Sequence, residues 1–458
     1  MRPLDAIERS FNHVYESLAP PGFRSQDVLT TARIEVECNH DVDSFEALAR
    51  RAWIRMSHVH PAITASFHGD RFIYSIPKDD DEIQKWLATS FVVNETQFNN
   101  SGSGNVTACS STTSYQDLAL VPPSPQPVMY YFPHEKTFAL RSPHIYTDGT
   151  GTLMLLEDFL TELASLLKVG NVKTINMQPL QPADTEIIKN LPESTINAAN
   201  IPTVGNTEMQ SLLSRLDLDF DREAIKLSGL DSRSSASDPG PGRLQVLRLS
   251  ANETAAIIRS GKETGLGFTA LVHAAILHAG QHLSNQPAAG VRNIHTTVTG
   301  FTIRDRCTLE PPNAGERAFT TRVSLWPFQV QVGEDILETA RTLKADYATL
   351  AARKDAILAA SVPFVQTLLP SFARSMDASF FASFPGNLMP IILRQYGHVR
   401  IQELGLSLIT TTPMMLLVVQ SFGGQMEIRL TYSAASHGDD EVQRFLQLIK
   451  LGLGNISG

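Results

Sequence analysis

Hydrophobic positions along this chain switch between two periods, and the switches mark out its elements. Thr31-Ala32-Arg33-Ile34-Glu35-Val36-Glu37 alternates apolar with polar residues, the two-residue period of a strand. Phe45, Leu48, Ala49, Ala52 and Trp53 then recur three and four residues apart, which predicts a helix from Asp43 to about Ser57. His60-Pro61 closes it, because the proline ring pushes the residue before it out of the helical region. Strands over Ile63–Phe67 and Arg71–Ile76 are expected to pair as a hairpin turned at His68-Gly69-Asp70. Small polar residues over 99–116 predict a loop. Strands from Val128 to Phe132 and from Phe138 to Ser142, then a helix over 153–167, complete this first unit.

From Lys168 to Gly242 the periodicity fades. Prolines recur at 179, 182, 192 and 202, and the stretch ends on Asp238-Pro239-Gly240-Pro241-Gly242, which predicts a long connection with one or two short helices. A second unit opens with a strand over Leu244–Leu249. Ser250-Ala251-Asn252-Glu253 follows with the spacing of a capping box, the serine accepting from a helix amide while the glutamate bonds back. Helices are expected to about Thr264, from Thr269 to His282 and over roughly 333–356, with a strand from Asn293 to Phe301. Strands over Leu416–Gln420 and Gln425–Tyr432 precede a closing helix, Asp439 to Leu451. No internal repeat is visible. The expected division is 1–170, 171–242 and 243–458: two mixed α/β units of the α+β type, each with a largely antiparallel sheet.

The length, 458 residues, exceeds one ordinary core and suits two domains of about 200 residues. Hydrophobic residues at 42% and charged residues at 19% describe a soluble globular protein. A net charge of −9 without a dense Lys/Arg run argues against nucleic-acid and anionic-membrane partners. Cys38, Cys109 and Cys307 are odd in number and far apart, against a disulfide framework or a clustered zinc site and in keeping with a reducing, cytoplasmic setting. The first residues hold no apolar signal region, and the longest aliphatic run, Met414 to Val419, is too short to cross a bilayer.

Candidate chemistry concentrates in Ser142-Pro143-His144-Ile145-Tyr146-Thr147-Asp148-Gly149-Thr150-Gly151, on a strand-to-helix connection. An imidazole titrates near neutrality and can take a proton from a hydroxyl, amine or thiol. Asp148 can orient that ring or tie down the turn through a salt bridge elsewhere. Gly149 and Gly151 allow the backbone angles of a tight turn. His278 and His282, spaced i and i+4, are one histidine pair with metal-ligand spacing, but no third ligand accompanies them and small apolar neighbours favour packing. His58 and His60 are expected to cap helix carbonyls or meet solvent. Gly265-Leu266-Gly267 joins two helices and follows no strand, which excludes a dinucleotide loop.

Four stretches, spread over almost the whole chain, resemble the CoA-dependent acyltransferase superfamily, which includes BAHD transferases, fungal trichothecene O-acetyltransferases, chloramphenicol acetyltransferase and condensation domains. They are His144-Ile145-Tyr146-Thr147-Asp148-Gly149, which matches HxxxDG; the helix running into His60-Pro61 and a strand; Phe301-Thr302-Ile303-Arg304-Asp305-Arg306; and the carboxy-terminal order of Glu403-Leu404-Gly405, Phe422-Gly423, the Tyr432 strand and a final helix.

The resemblance implies two chloramphenicol-acetyltransferase-like subdomains with an active-site tunnel between them. It implies His144 as general base, Asp148 in a structural pairing with Arg304, and Gly149 as a point of close approach for the donor. Arg304 and Arg306 would share a face on a regular strand, so either could reach Asp148, and resemblance alone selects Arg304. The place before His144, often a second histidine in the family, is Pro143. The DFGWG motif of the plant enzymes has partial counterparts in Ser421-Phe422-Gly423-Gly424-Gln425 and Ser383-Phe384-Pro385-Gly386, and leaves the oxyanion donor unassigned. On the first of these, Phe422, Gly423 and Gly424 become donor-binding candidates, with a simple turn as the equal alternative.

The activity so implied is transfer of an acyl group, acetyl by likeness, from acyl-CoA as co-substrate to a small hydroxylated (or amine) acceptor. No metal or permanently bound cofactor is needed, and a monomer is expected. The alternatives are a condensation-like enzyme drawing on a carrier protein and a non-acylating cyclase or binding protein.

Overall fold

The computed structural model describes residues 1–11, 26–37, 42–94, 114–122, 124–169, 184–202, 207, 241–283, 294–307, 310–367 and 380–457. Most of the loop expected over 99–116, most of the connection over 171–242, and Cys38 and Cys109 lie outside them.

The first half of the chain runs β1 (Arg2–Pro3), α1 (6–11), β2 (Gln26–Val36), α2 (Val42–Val59), β3 (Ala65–His68), β4 (Arg71–Tyr74), α3 (Asp80–Ser90), β5 (Phe91–Val93), β6 (Val128–Phe132), β7 (Thr137–Pro143) and α4 (Gly149–Val169). Short helices α5 (Asp184–Lys189) and α6 (Thr195–Ala198) follow. The second half runs β8 (Gly242–Arg248), α7 (Ala251–Glu263), α8 (Phe268–Leu283), β9 (Ile294–Thr302), β10 (Val323–Gln331), α9 (Ile336–Ala352), α10 (Lys354–Thr367), β11 (Phe380–Asn387), β12 (Gln395–Tyr396), β13 (Val399–Thr410), β14 (Met415–Phe422), β15 (Gln425–Ser433) and α11 (Asp439–Ser457).

Two main sheets organise these elements. One has the order β12-β13-β2-β7-β6-β5 and is antiparallel except for the β5–β6 pair. The other has the order β11-β14-β15-β8, with β11 and β14 parallel. Smaller sheets join β1-β4-β3 and β10-β9. Helices α2 and α4 cover the six-stranded sheet, burying Trp53, Leu153, Leu156, Phe159 and Leu163 against Phe138 and Leu140. Helices α8 and α11 close a second core with Leu417, Val419, Ile428 and Leu430 of the four-stranded sheet. A third cluster gathers α1, the residues around α6, and α10.

The sheets do not divide at residue 243. β13 pairs with β2 along its length, from Val399 opposite Val36 to Thr410 opposite Gln26, so a strand from the second half completes the first sheet. Its alternation is hard to read because a bulge between Ile401 and Glu403 shifts the register by one residue. The Gln420 side chain stitches the two sheets together, its oxygen accepting from the Leu406 amide at 2.9 Å and its amide donating to Leu404 O at 3.2 Å. The sequence reading also passes over α3, β10 and β11. β10 carries Pro327, tolerated because its two-stranded sheet leaves each strand an open edge. The capping box at Ser250 and Glu253 forms in both directions.

Candidate active site

β7 ends at Pro143, and the chain turns over His144 before α4 begins at Gly149. The helix starts four residues ahead of the expected 153 because Asp148 is its N-cap. Asp148 Oδ1 accepts from the Gly151 amide at 2.7 Å, which offsets the poor helix propensity of Gly149, Thr150 and Gly151. The same carboxylate carries a second load. Arg304 Nη2 lies 2.8 Å from Oδ1, and the Arg322 amide donates to Oδ2 at 2.7 Å. Asp148 therefore ties down the turn. Burial alone would raise its pKa; the Arg304 charge and the two amides outweigh that and hold it below the usual carboxylate range.

Arg304 leaves β9 in a 3₁₀ turn, Arg304–Arg306, rather than on a continuing strand. The two arginines consequently diverge: Arg304 is buried and also donates to Ala318 O and Thr320 O, while Arg306 pairs with exposed Asp355 at the surface. Residues 310–322 cross onto the first unit. Arg317 binds Glu157 and Asp158 of α4 at 2.9 and 3.0 Å, and the Thr321 hydroxyl donates to His144 O at 2.7 Å.

His144 is 8% exposed, with its amide on Gln26 O at 3.2 Å. The Phe11 ring stacks on its imidazole with centroids 4.9 Å apart. Burial pushes the imidazole pKa down, against an opposite pull from its own backbone, Asp148, the Thr147 backbone and Asp27. The ring is thus neutral near pH 7, the form that accepts a proton.

The glycines serve by their size, not by left-handed angles. A Cβ on Gly149 would meet Leu406 Cδ2 at 2.6 Å. One on Gly151 would overlap Thr147 Oγ1 and stand 2.7 Å from Arg304 Nη2, so only glycine lets the arginine reach Asp148. Phe422, Gly423 and Gly424 lie on the other sheet, at the β14–β15 hairpin. Gly423 and Gly424 have φ of 57° and 84°, and Phe422 pairs with Gln425, the signature of a two-residue type I′ turn. Gly386, in the rival motif, sits at φ 75° beside a register shift between β11 and β14.

Several partners escaped the sequence reading. Arg141 and Asp27 form a buried pair at 2.6 Å between β7 and β2, one strand end from His144; their alternation on two strands far apart in sequence carries no signal. His60 is 1% exposed, and its Nε2 lies 2.7 Å from Asp158 Oδ2, which corrects the expectation of a solvent or capping role. His278 bonds Thr339 Oγ1 at 2.8 Å, and among the described residues no three His, Cys, Asp or Glu side chains gather as for a metal.

No family model matches the sequence. Among solved structures, the TRI3 trichothecene 15-O-acetyltransferase of Fusarium sporotrichioides superposes with a TM-score of 0.77 at 14% identity, covering 100% of this chain and 94% of that one. The first condensation domain of the calcium-dependent antibiotic synthetase gives 0.64 at 13% identity, covering 100% and 96%. The chain has the fold shared by that acetyltransferase and the condensation domain. Curated relatives include the O-acetyltransferase pigM of Monascus ruber, 22% identical over 98% of this chain and 84% of its own length. Another is lolU1 of Epichloe uncinata, named a loline biosynthesis cluster transcription factor, 23% identical over 99% and 95%. Among the described residues no helix is long and apolar enough to cross a membrane.

Proposed function

We propose that this protein is an acyltransferase that moves an acyl group from a CoA thioester to a hydroxyl of a small acceptor, with His144 as the general base. One observation carries the reading. A neutral, buried imidazole sits on a turn whose aspartate is spent on Arg304 and two amides, so the ring is held in place without the carboxylate taking part in the chemistry. His144 removes the acceptor's proton as its oxygen attacks the thioester carbonyl. The C–O bond forms, the C–S bond breaks, and the proton passes from the imidazole to the departing thiolate. The thioester is already activated, so positioning and one base supply most of the rate. The acetyltransferase name of pigM and the likeness to TRI3 support acetyl as the group transferred. On the donor side, the Phe422-Gly423-Gly424 hairpin is the proposed contact.

The transcription-factor name of lolU1 belongs to that protein. This chain's charge of −9 gives DNA no electrostatic footing. The likeness to a condensation domain supports a second reading, with the same base and a carrier-bound thioester as donor.

The test is thiol release from acetyl-CoA in the presence of hydroxylated acceptors. It is expected to require the acceptor and to fall by two or more orders of magnitude, about 10²–10⁴-fold, in His144→Ala. Activity with a carrier-bound thioester alone selects the condensation-like reading. Acceptor-dependent release that survives His144→Ala removes the base assignment.

A further inference from the structure

Phe11 covers one face of the imidazole and takes no part in the reading above. Its ring lies 4.9 Å from that of His144 with 22° between the planes, and the residue is only 4% exposed. The contact is built, not incidental. Asp5 and Glu8 cap α1 reciprocally, the Glu8 amide on Asp5 Oδ1 at 2.9 Å and the Asp5 amide on Glu8 Oε2 at 3.0 Å. Arg2 donates to both oxygens of fully buried Glu8 at 2.7 Å. β1 adds to β4, and the Leu4 amide donates to Asp70 O.

The backbone carbonyl of His144 is tied to the same assembly. Asp5 Oδ2 accepts from the Ile196 amide at 2.6 Å, the Thr195 hydroxyl donates to Thr321 O at 2.7 Å, and Thr321 in turn donates to His144 O. Ala6, Ile7 and Phe11 are buried with Ala198, Ile201, Leu358 and Val365, which fixes α1 between the two units. A ring lying nearly parallel to an imidazole restricts its rotation and keeps water from that face.

We propose that Phe11 is a positioning residue for His144, holding the imidazole in the orientation that accepts the acceptor's proton, so that residues 1–11 are a working part of the active site. The inference rests on the acyl-transfer reading of His144. The charged groups acting on the ring are Asp148 at the start of α4, itself paired with Arg304, and Asp27 on β2, itself paired with Arg141. Asp5 and Glu8 of α1 are spent on Arg2 and backbone amides.

The variants are Phe11→Ala, Phe11→Leu and Phe11→Tyr beside His144→Ala. Two readouts separate the claims: kcat and KM for acyl transfer across pH, and the ¹³C titration of the His144 ring in histidine-labelled protein. The resonance is assigned by its loss in His144→Ala, and the titration needs no substrate. Phe11→Ala is expected to lower kcat about ten- to a hundredfold with donor KM little changed. It should also move the imidazole midpoint, and with it the acid limb of kcat/KM, upward by about half to one pH unit as water reaches the ring. Phe11→Leu keeps the volume and so the midpoint, but loses kcat. Phe11→Tyr, which keeps the ring, restores both.

A wild-type kcat in Phe11→Leu overturns the proposal. So does an unmoved midpoint together with unmoved kcat in Phe11→Ala; if that variant does not fold, Phe11→Leu decides. Should His144→Ala retain transfer, the base assignment fails by itself, while the titration still reports whether Phe11 governs the ring.

Discussion

A single carboxylate, Asp148, caps a helix, fixes a turn and holds a segment from the other unit, and these loads predict how it fails. Removing one partner of a buried ion pair leaves the other charge desolvated, so Arg304→Ala should cost about 3–5 kcal/mol in urea unfolding. The double variant Arg304→Met with Asp148→Asn should cost less than the sum of its parts, because the stranded charge is gone. The pH sign follows from the depressed pKa of Asp148. Its contribution is present above about pH 4, the ordinary unfolded value, and is lost as pH falls through the lower folded value. A stability of Arg304→Ala equal to wild type would show that the pair stabilises nothing.

Where α8, β9 and β11 meet, two histidines are buried with no charge partner among the described residues. His273 bonds the Tyr347 hydroxyl through Nδ1, and His295 stacks on Phe380 at 4.8 Å. Burial takes His273 down to about 3, helped by His295, and His295 down to about 4. A histidine held neutral contributes its full stability above an unfolded pKa near 6.5 and loses it as pH falls toward the folded value. By pH 5 His295 alone should forfeit on the order of 2 kcal/mol. His295→Leu should therefore flatten the decline of Tm between pH 6.5 and 5; an unchanged slope would reject this account.

Elements of this kind also mark what the sequence could convey. Helices α2, α7 and α11 stand out because each shows an apolar stripe to a core, and α8 because its run is almost wholly apolar, every residue from Ala270 to Gly280 being buried. β13 does not, because its bulge breaks the alternation midway, and β10 carries a proline that reads as a break. At the site, His144, Asp148 and Gly149 are neighbours on one turn and visible as a pattern. Phe11, Arg141 with Asp27, and Thr321 become neighbours only through the tertiary fold, and no local spacing announces them.

For the whole molecule, the two halves of the chain are not two independent bodies. Residues 1–242 expressed alone lack β12 and β13, so β2 keeps β7 on one side but its other edge, covered by β13 in the whole chain, is left open, the configuration that invites aggregation. That fragment is expected to be insoluble or unfolded by circular dichroism and to be recovered on co-expression with 243–458; a soluble, cooperatively folding fragment would contradict this. The crossing strand also imposes an order in time. Asp27 leaves the ribosome long before its partner Ile409 is made. At roughly 5–20 residues per second, the interval is on the order of tens of seconds. Through that interval the edge of β2 waits open, so the newborn chain depends on whatever shields that edge until β13 has been made.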